Sequence, residues 1–234
     1  MSVYSGPEIQ DNIGFYVDFS NSKSINGTTL TDLSSNQIPI TLTNPGANSL
    51  SINNGFALFS PADSANTATY YTISNQYFND IKNEITLETC MYVVSDFGGG
   101  QNRGVSPRIV EGGSPLGFSL YPGGIAAEVN TNTGWITGGA STSKIAYGRW
   151  VYITQTTSVT QNLFKTYVNG EFLSQSSLAG STPTGGGGIL IGRGYYGGVK
   201  NFSGGISFVR VYNRALSAEE VLNNFNAHRG RFNI

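Results

Sequence analysis

The stretch GISFVRVYNRALSAEEVLNNFNAHRGRF, residues 205–232, decides the fold. Its first part alternates like a strand and its second part repeats like a helix. Ile206, Phe208 and Tyr212 are expected on one face of the strand, and Val209 and Val211 on the other. Apolar bulk on both faces predicts cover on both sides. Ser217 stands three residues before Glu220, which is the pattern of a capping box. Ala218, Val221, Leu222 and Phe225 then fall at i, i+3, i+4 and i+7, one helical stripe, with Gly230 as the expected stop. A helix this short is marginal alone. It must bury its stripe on the rest of the chain, over an edge or an open end where it would block strand pairing.

Upstream the rhythm is that of strands. Candidates lie at 13–19, 38–43, 55–60, 68–73, 84–94, 117–121, 124–129, 149–157, 163–168, 171–174 and 188–193, followed by 205–212, with turn residues between them. A dozen short strands without intervening helices exclude a doubly wound α/β fold and predict an antiparallel jelly-roll β-sandwich with one C-terminal helix. In YVNGEFL, 167–173, Asn169-Gly170 predicts a two-residue hairpin turn, because both central positions need positive φ. In RWVYITQTT, 149–157, Trp150, Tyr152 and Thr154 share one face and Val151 and Ile153 the other, as in a central strand. The run GGGG at 185–188 reads as a loop, and no linker divides the chain. The expected organisation is an N-terminal arm over 1–12 and a single domain over 13–234.

Composition narrows the function. Charged residues make up only 12% of 234 residues, against the usual quarter, while 31 glycines accompany many Ser, Thr and Asn. The surface must therefore be polar but mostly neutral. A formal net charge of −1 and a single short basic cluster, His228, Arg229 and Arg231, exclude a nucleic-acid footprint. That cluster suits the negative end of a helix dipole instead. Cys90 is the only cysteine, so no intrachain disulfide forms, and it is expected buried in its strand. The opening residues have neither a basic n-region nor an apolar h-region, so no signal peptide is expected. No apolar run is long enough to insert into a membrane. A protein made in a cytoplasm with the surface of an extracellular β-protein is expected to be a virion component.

Four motifs in order carry a family resemblance: the Trp strand after Gly148-Arg149, the YVNG hairpin at 167–170, IGR at 191–193, and the strand–YNRALSAEE–helix ending. Together they resemble the second half of laminin G-like domains of the concanavalin A-like lectin/glucanase superfamily. The opening GPEIQDNIGFYVDF and the ending NNFNAHRGRF resemble laminin G-like proteins of tailed-phage virions. The resemblance implies two antiparallel sheets and a non-enzymatic virion structural protein, with capsid decoration first and a carbohydrate-binding adhesin of the tail or fibre second. Its partners would be major capsid or tail proteins, host-surface glycans, and further copies of itself. It also implies calcium as the one candidate cofactor, although no ligand set maps onto Asp18, Asp32, Asp63 and Asp96, which read as turn or cap residues. No metal site is assigned.

A glycoside hydrolase is the third reading. Glucanases of that superfamily carry a similar E-x-D-x-E strand with two catalytic carboxylates. Here the strand is EITLE, 84–88, with Thr86 in the middle position. Retaining catalysis needs carboxyl groups about 5–5.5 Å apart with split pKa values. Without the middle Asp, Glu84 and Glu88 read as a polar outer face opposite Ile85, Leu87 and Met91, and no catalytic residue is assigned. Sugar binding through loop aromatics leaves Tyr121, Trp135, Tyr195 and Tyr196 as candidates, since they stand near glycines at expected loops and strand ends. In the arm, Val3, Tyr4 and Ile9 are apolar groups without a partner in their own segment, hence candidates for docking on a virion neighbour, the equal alternative being that the arm lies along its own sandwich. On the docking expectation, deleting residues 2–9 leaves stability unchanged.

Overall fold

The structure, a computed structural model, describes residues 8–44, 50–59, 69–73, 81–93, 108–111, 116–121, 124–141, 148–183, 189–192, 202 and 204–234. Its strands form two large antiparallel sheets. The first runs β15 (Glu171–Ser177), β14 (Leu163–Val168), β13 (Trp150–Ser158), β8 (Glu84–Val93), β17 (Gly204–Tyr212), β6 (Phe56–Phe59), β5 (Leu50–Asn53), and β1 (Ile13–Asp18) also pairs with β17. The second runs β12 (Gly134–Ser141), β11 (Gly124–Thr131), β10 (Leu116–Tyr121), β9 (Arg108–Glu111), β16 (Ile189–Ile191), β7 (Tyr70–Ile73), β4 (Ile40–Thr43). A small ribbon joins β2 (Ile25–Asn26) to β3 (Thr29–Leu30).

All twelve expected strands are present. Those not foreseen are β2, β3, β5, β9 and β12. The interior holds Phe15, Val17, Leu87, Met91, Val151, Ile153 and Phe164 from the first sheet against Tyr71, Ile73, Val129, Ile189 and Ile191 from the second. Along β13, Val151 and Ile153 point into this core and Tyr152 points out of it, as the alternation requires. The β14–β15 hairpin turns through Asn169 (φ 51°) and Gly170 (φ 76°). The Asn169 carbonyl oxygen Oδ1 accepts from the Tyr152 backbone N–H at 2.9 Å. A Cβ on Gly170 would come within 2.8 Å of Phe225 Cδ1, so glycine also lets the helix lie across the turn.

The last strand departs from simple alternation. A bulge between Ile206 and Phe208 resets its register on β8. Ile206, Val209 and Val211 therefore all enter the sandwich core, while Phe208 and Tyr212 face outward with Arg210 between them. Ile206 is thus on the opposite face from the one expected.

Helix α1 (Ala218–Phe232) begins with the capping box: the Glu220 N–H donates to Ser217 Oγ at 3.3 Å, and the Ser217 N–H donates to Glu220 Oε2 at 2.8 Å. Ser217→Ala is expected to cost about 1 kcal/mol through loss of the cap, read as a lower urea midpoint with an unchanged slope. The helix passes through Gly230 and ends at Asn233 in the left-handed conformation (φ 55°), so Gly230 is not the stop. Nor does α1 cover an edge. It lies on the outer face of the first sheet, over Cys90, Tyr152 and Phe208 of the central strands, which Phe225 and Phe232 cover. Those side chains would otherwise form an exposed apolar patch.

Candidate functional site

The register under α1 brings three strands to one point. Glu88 of β8 lies between Arg210 of β17 and Thr154 of β13. Glu88 and Arg210 are both fully buried. Arg210 donates to Glu88 Oε2 from Nε (3.1 Å) and from Nη2 (2.7 Å), and Nη2 also reaches the Tyr152 hydroxyl at 3.2 Å. Thr154 Oγ1 donates to the other carboxylate oxygen at 3.2 Å. From the helix, Asn224 Nδ2 donates to Glu88 Oε2 (3.1 Å) and to the Tyr212 hydroxyl (2.9 Å). The guanidinium carbon lies 5.3–5.5 Å from the ring centroids of Tyr16, Phe208 and Tyr212. Burial pushes the Glu88 carboxyl up to about 7 and lowers Arg210 to about 10. Direct contact between opposite charges works against both shifts and favours the ionised pair.

The N-terminal segment closes this network. Glu8 Oε1 meets Arg210 Nη1 and bonds His228 Nε2 at 2.6 Å. The Ile9 N–H donates to Asn224 Oδ1 at 2.8 Å, and the Tyr212 hydroxyl donates to the Ile9 carbonyl at 3.0 Å. His228 is not a helix-end cation: burial, then the nearby Arg210 charge, pushes its imidazole down to about 3. It stacks on Phe208 at 5.0 Å and, neutral, can donate to Glu8. Arg231 serves the helix end instead, gripping both oxygens of Asp18 at 2.8 Å.

These groups explain why the buried stripe of α1 is not the expected one. Val221, Asn224, Phe225 and Phe232 are buried, whereas Ala218 is exposed and Leu222 is 44% exposed. The sheet below presents a charge pair, so the helix turns Asn224 and His228 toward it. An Arg inside an apolar strand, followed by an amphipathic helix with an Asn beside its apolar stripe and a His one turn on, was the available sequence signal.

The other strand carboxylate does not join this network. Glu84 Oε1 accepts from Ser158 Oγ at 3.0 Å and from the Thr160 N–H at 3.1 Å. Thr86, in the middle position, donates to the Arg214 carbonyl at 2.8 Å and accepts from the Leu216 N–H at 2.9 Å, fastening the loop that leads into α1. The EITLE strand therefore opens onto no cleft at Glu88.

Of the expected binding residues, Tyr121, Trp135 and Ile9 lie among the described ones. Tyr121 ends β10 opposite Gly124, while Trp135 lies within β12 opposite Asn130, so they sit at opposite ends of β11. At about 3.3 Å per residue their backbone positions are roughly 20 Å apart along the strand. Tyr195 and Tyr196 lie outside the described residues, as do Val3 and Tyr4. Ile9 does not extend from a free arm, because its own chain binds both of its backbone polar groups, and its side chain packs on the cluster of Tyr167, Tyr212, Leu216 and Val221. Among the described residues no three His, Cys, Asp or Glu side chains gather as a metal would require. Cys90 is buried and free.

The model of the concanavalin A-like lectin/glucanases superfamily matches residues 65–222. No curated protein matches the sequence. Among solved structures, the chain is similar to the binding domain of botulinum neurotoxin DC in complex with SialylT (TM-score 0.69, 14% identity, 93% of this chain and 52% of that one). It is also similar to the binding domain of Paraclostridial Mosquitocidal Protein 1 (TM-score 0.70, 18% identity, 93% and 52%). A third is the botulinum neurotoxin serotype D binding domain (TM-score 0.68, 12% identity, 92% and 51%). The chain spans about half the length of each of these structures, and at such identities the likeness is one of fold.

Proposed function

Because this chain belongs to the concanavalin A-like lectin/glucanases superfamily, we propose that it is a non-catalytic recognition domain, carried on the surface of a tailed-phage particle. The observation that carries the non-catalytic part is the fate of the EITLE strand. Glu88 is fully buried, bound to Arg210 and covered by α1, and Thr86 is spent on the loop backbone. A general acid or nucleophile must reach its substrate. Here the substrate would have to displace the helix.

The recognition part is supported by the fold it shares with the binding domains of several toxins, one of them in complex with SialylT. This favours a receptor-binding adhesin over plain capsid decoration. The particle is supported by the phage-like opening and ending of the sequence. A glycan array together with co-sedimentation on purified particles tests both parts. Binding to a host glycan or to particles is expected, and binding to neither would sink the proposal. Incubation with β-glucans is expected to release no reducing sugar. Turnover that vanishes in Glu84→Gln or Glu88→Gln would make the domain a hydrolase after all.

A further inference from the structure

We propose that the cleft between the N-terminal segment, β1 and the 33–36 loop is a binding site for an uncharged, hydroxyl-rich ligand, a neutral sugar residue. This rests on the recognition reading and gives it a place and a charge class. The cleft has a volume of about 500 Å³, within the size range of small-molecule sites.

Its lining carries no charged side chain. A phosphate or carboxylate would call for Arg or Lys. The nearest guanidinium in sequence, Arg214, is not in the lining and is engaged by Asp11 and Glu220. What the cleft offers is amides. Gln10 Nε2 donates to Glu8 at 2.7 Å, Asn12 Nδ2 to Asp11 at 2.8 Å, and Asn36 Nδ2 to the Gly14 carbonyl at 2.9 Å. Each of these bonds fixes which end of the amide is nitrogen and leaves its carbonyl oxygen available to accept. Among the described residues, the side chains of Asn213 and Ser35 make no hydrogen bond, and both are exposed. Three acceptors, a whole amide and a hydroxyl match a ligand with several O–H donors. Leu33 and Ile13 supply apolar wall for the C–H faces of such a ring.

The walls are also held in place. Buried Asp32 accepts from the N–H groups of Tyr16, Ser34 and Ile38 and from Ser34 Oγ, which pins the loop to β1. The Asn213 N–H donates to the Asn12 carbonyl at 2.9 Å, tying the opposite wall together. Asn12 itself is held at φ 61°, a left-handed conformation that Asn tolerates better than most residues. A rigid rim reduces the ordering cost of binding.

Isothermal titration of the full chain with methyl glycosides of glucose, galactose, mannose and N-acetylglucosamine tests this, with sialyllactose and inorganic phosphate as charged probes. At least one neutral glycoside is expected to bind at millimolar concentration or tighter, and neither charged probe more tightly than that glycoside. The double variant Ser35→Ala, Asn213→Ala is expected to weaken that affinity at least tenfold with an unchanged thermal midpoint. In the unsubstituted protein, the same glycoside should shift the side-chain amide NMR signals of Gln10, Asn12 and Asn36, a readout that does not depend on the variant. Undiminished affinity in the double variant, with those signals unmoved, would place the ligand elsewhere and overturn the site while leaving the recognition reading intact. Tighter binding of a charged probe, or no binding by any neutral glycoside, would overturn the ligand class.

Discussion

Arg210→Met is expected to lower the free energy of unfolding by about 3–5 kcal/mol, the usual consequence of removing one partner from a buried ion pair. The reason lies in what remains. Glu88 stays fully buried with only the neutral donors Asn224, Thr154 and Tyr152 to meet a carboxylate whose charge burial already disfavours. Glu8 loses its cation as well. The three rings around the guanidinium lose a planar cation that lysine cannot imitate, so Arg210→Lys should also destabilise. The double variant Glu88→Leu, Arg210→Met removes both charges, and it should be markedly more stable than Arg210→Met alone. Urea midpoints of the two single variants and the double variant measure this coupling. A midpoint for Arg210→Met equal to that of the unsubstituted protein would mean that the pair is not closed under the helix. Simple additivity in the cycle would mean that the two residues do not interact.

Sequence reading reached those features whose cause is local. Ser217 and Glu220 announced the capping box, Asn169-Gly170 announced the hairpin, and the alternation from Trp150 to Thr154 announced a central strand. Three of the strands that escaped lack such signals, whereas β5, LSIN, alternates but is only four residues long. GWITGGAS of β12 has three glycines in eight residues and no alternation, and β2 and β3 are two residues long. The network under α1 escaped for another reason. Arg210 and Glu88 are 122 positions apart, and they meet only because of the register of β17 on β8. The bulge after Ile206 shifts that register, and neither the bulge nor the pairing is written in either strand by itself. The Glu8 contact spans 220 positions to His228. The amide-lined cleft was equally out of reach, because it joins residues 10–16, the 33–36 loop and Asn213.

Deletion of residues 2–9 is expected to destabilise the domain by about 3–5 kcal/mol, as the own-sandwich alternative for the arm requires and the docking arm does not. The deletion removes Glu8 from Arg210 and from His228, takes the Ile9 N–H from Asn224 and takes the Ile9 carbonyl from Tyr212. It therefore takes one bond each from Arg210, Asn224 and Tyr212, which keep their other partners, and an unsatisfied buried polar atom costs about 1–3 kcal/mol. It also uncovers Tyr212 and Val221, on which Ile9 packs. Deleting only residues 2–7 spares Glu8 and Ile9 and so keeps every contact named above, and that variant should unfold at a higher midpoint than the 2–9 deletion. The pair of deletions separates folding from attachment. If Val3 and Tyr4 dock the domain on a particle, the shorter deletion keeps the Glu8 and Ile9 contacts and yet fails to incorporate into virions. The longer deletion would fail as well, through instability. Equal urea midpoints for the full chain and the 2–9 deletion would show that the Glu8–Arg210 contact contributes nothing to the fold. Normal incorporation of the 2–7 deletion would move the docking surface to the sandwich itself, where Phe172 on β15 and Leu222 on α1, 53% and 44% exposed, are the first residues to substitute.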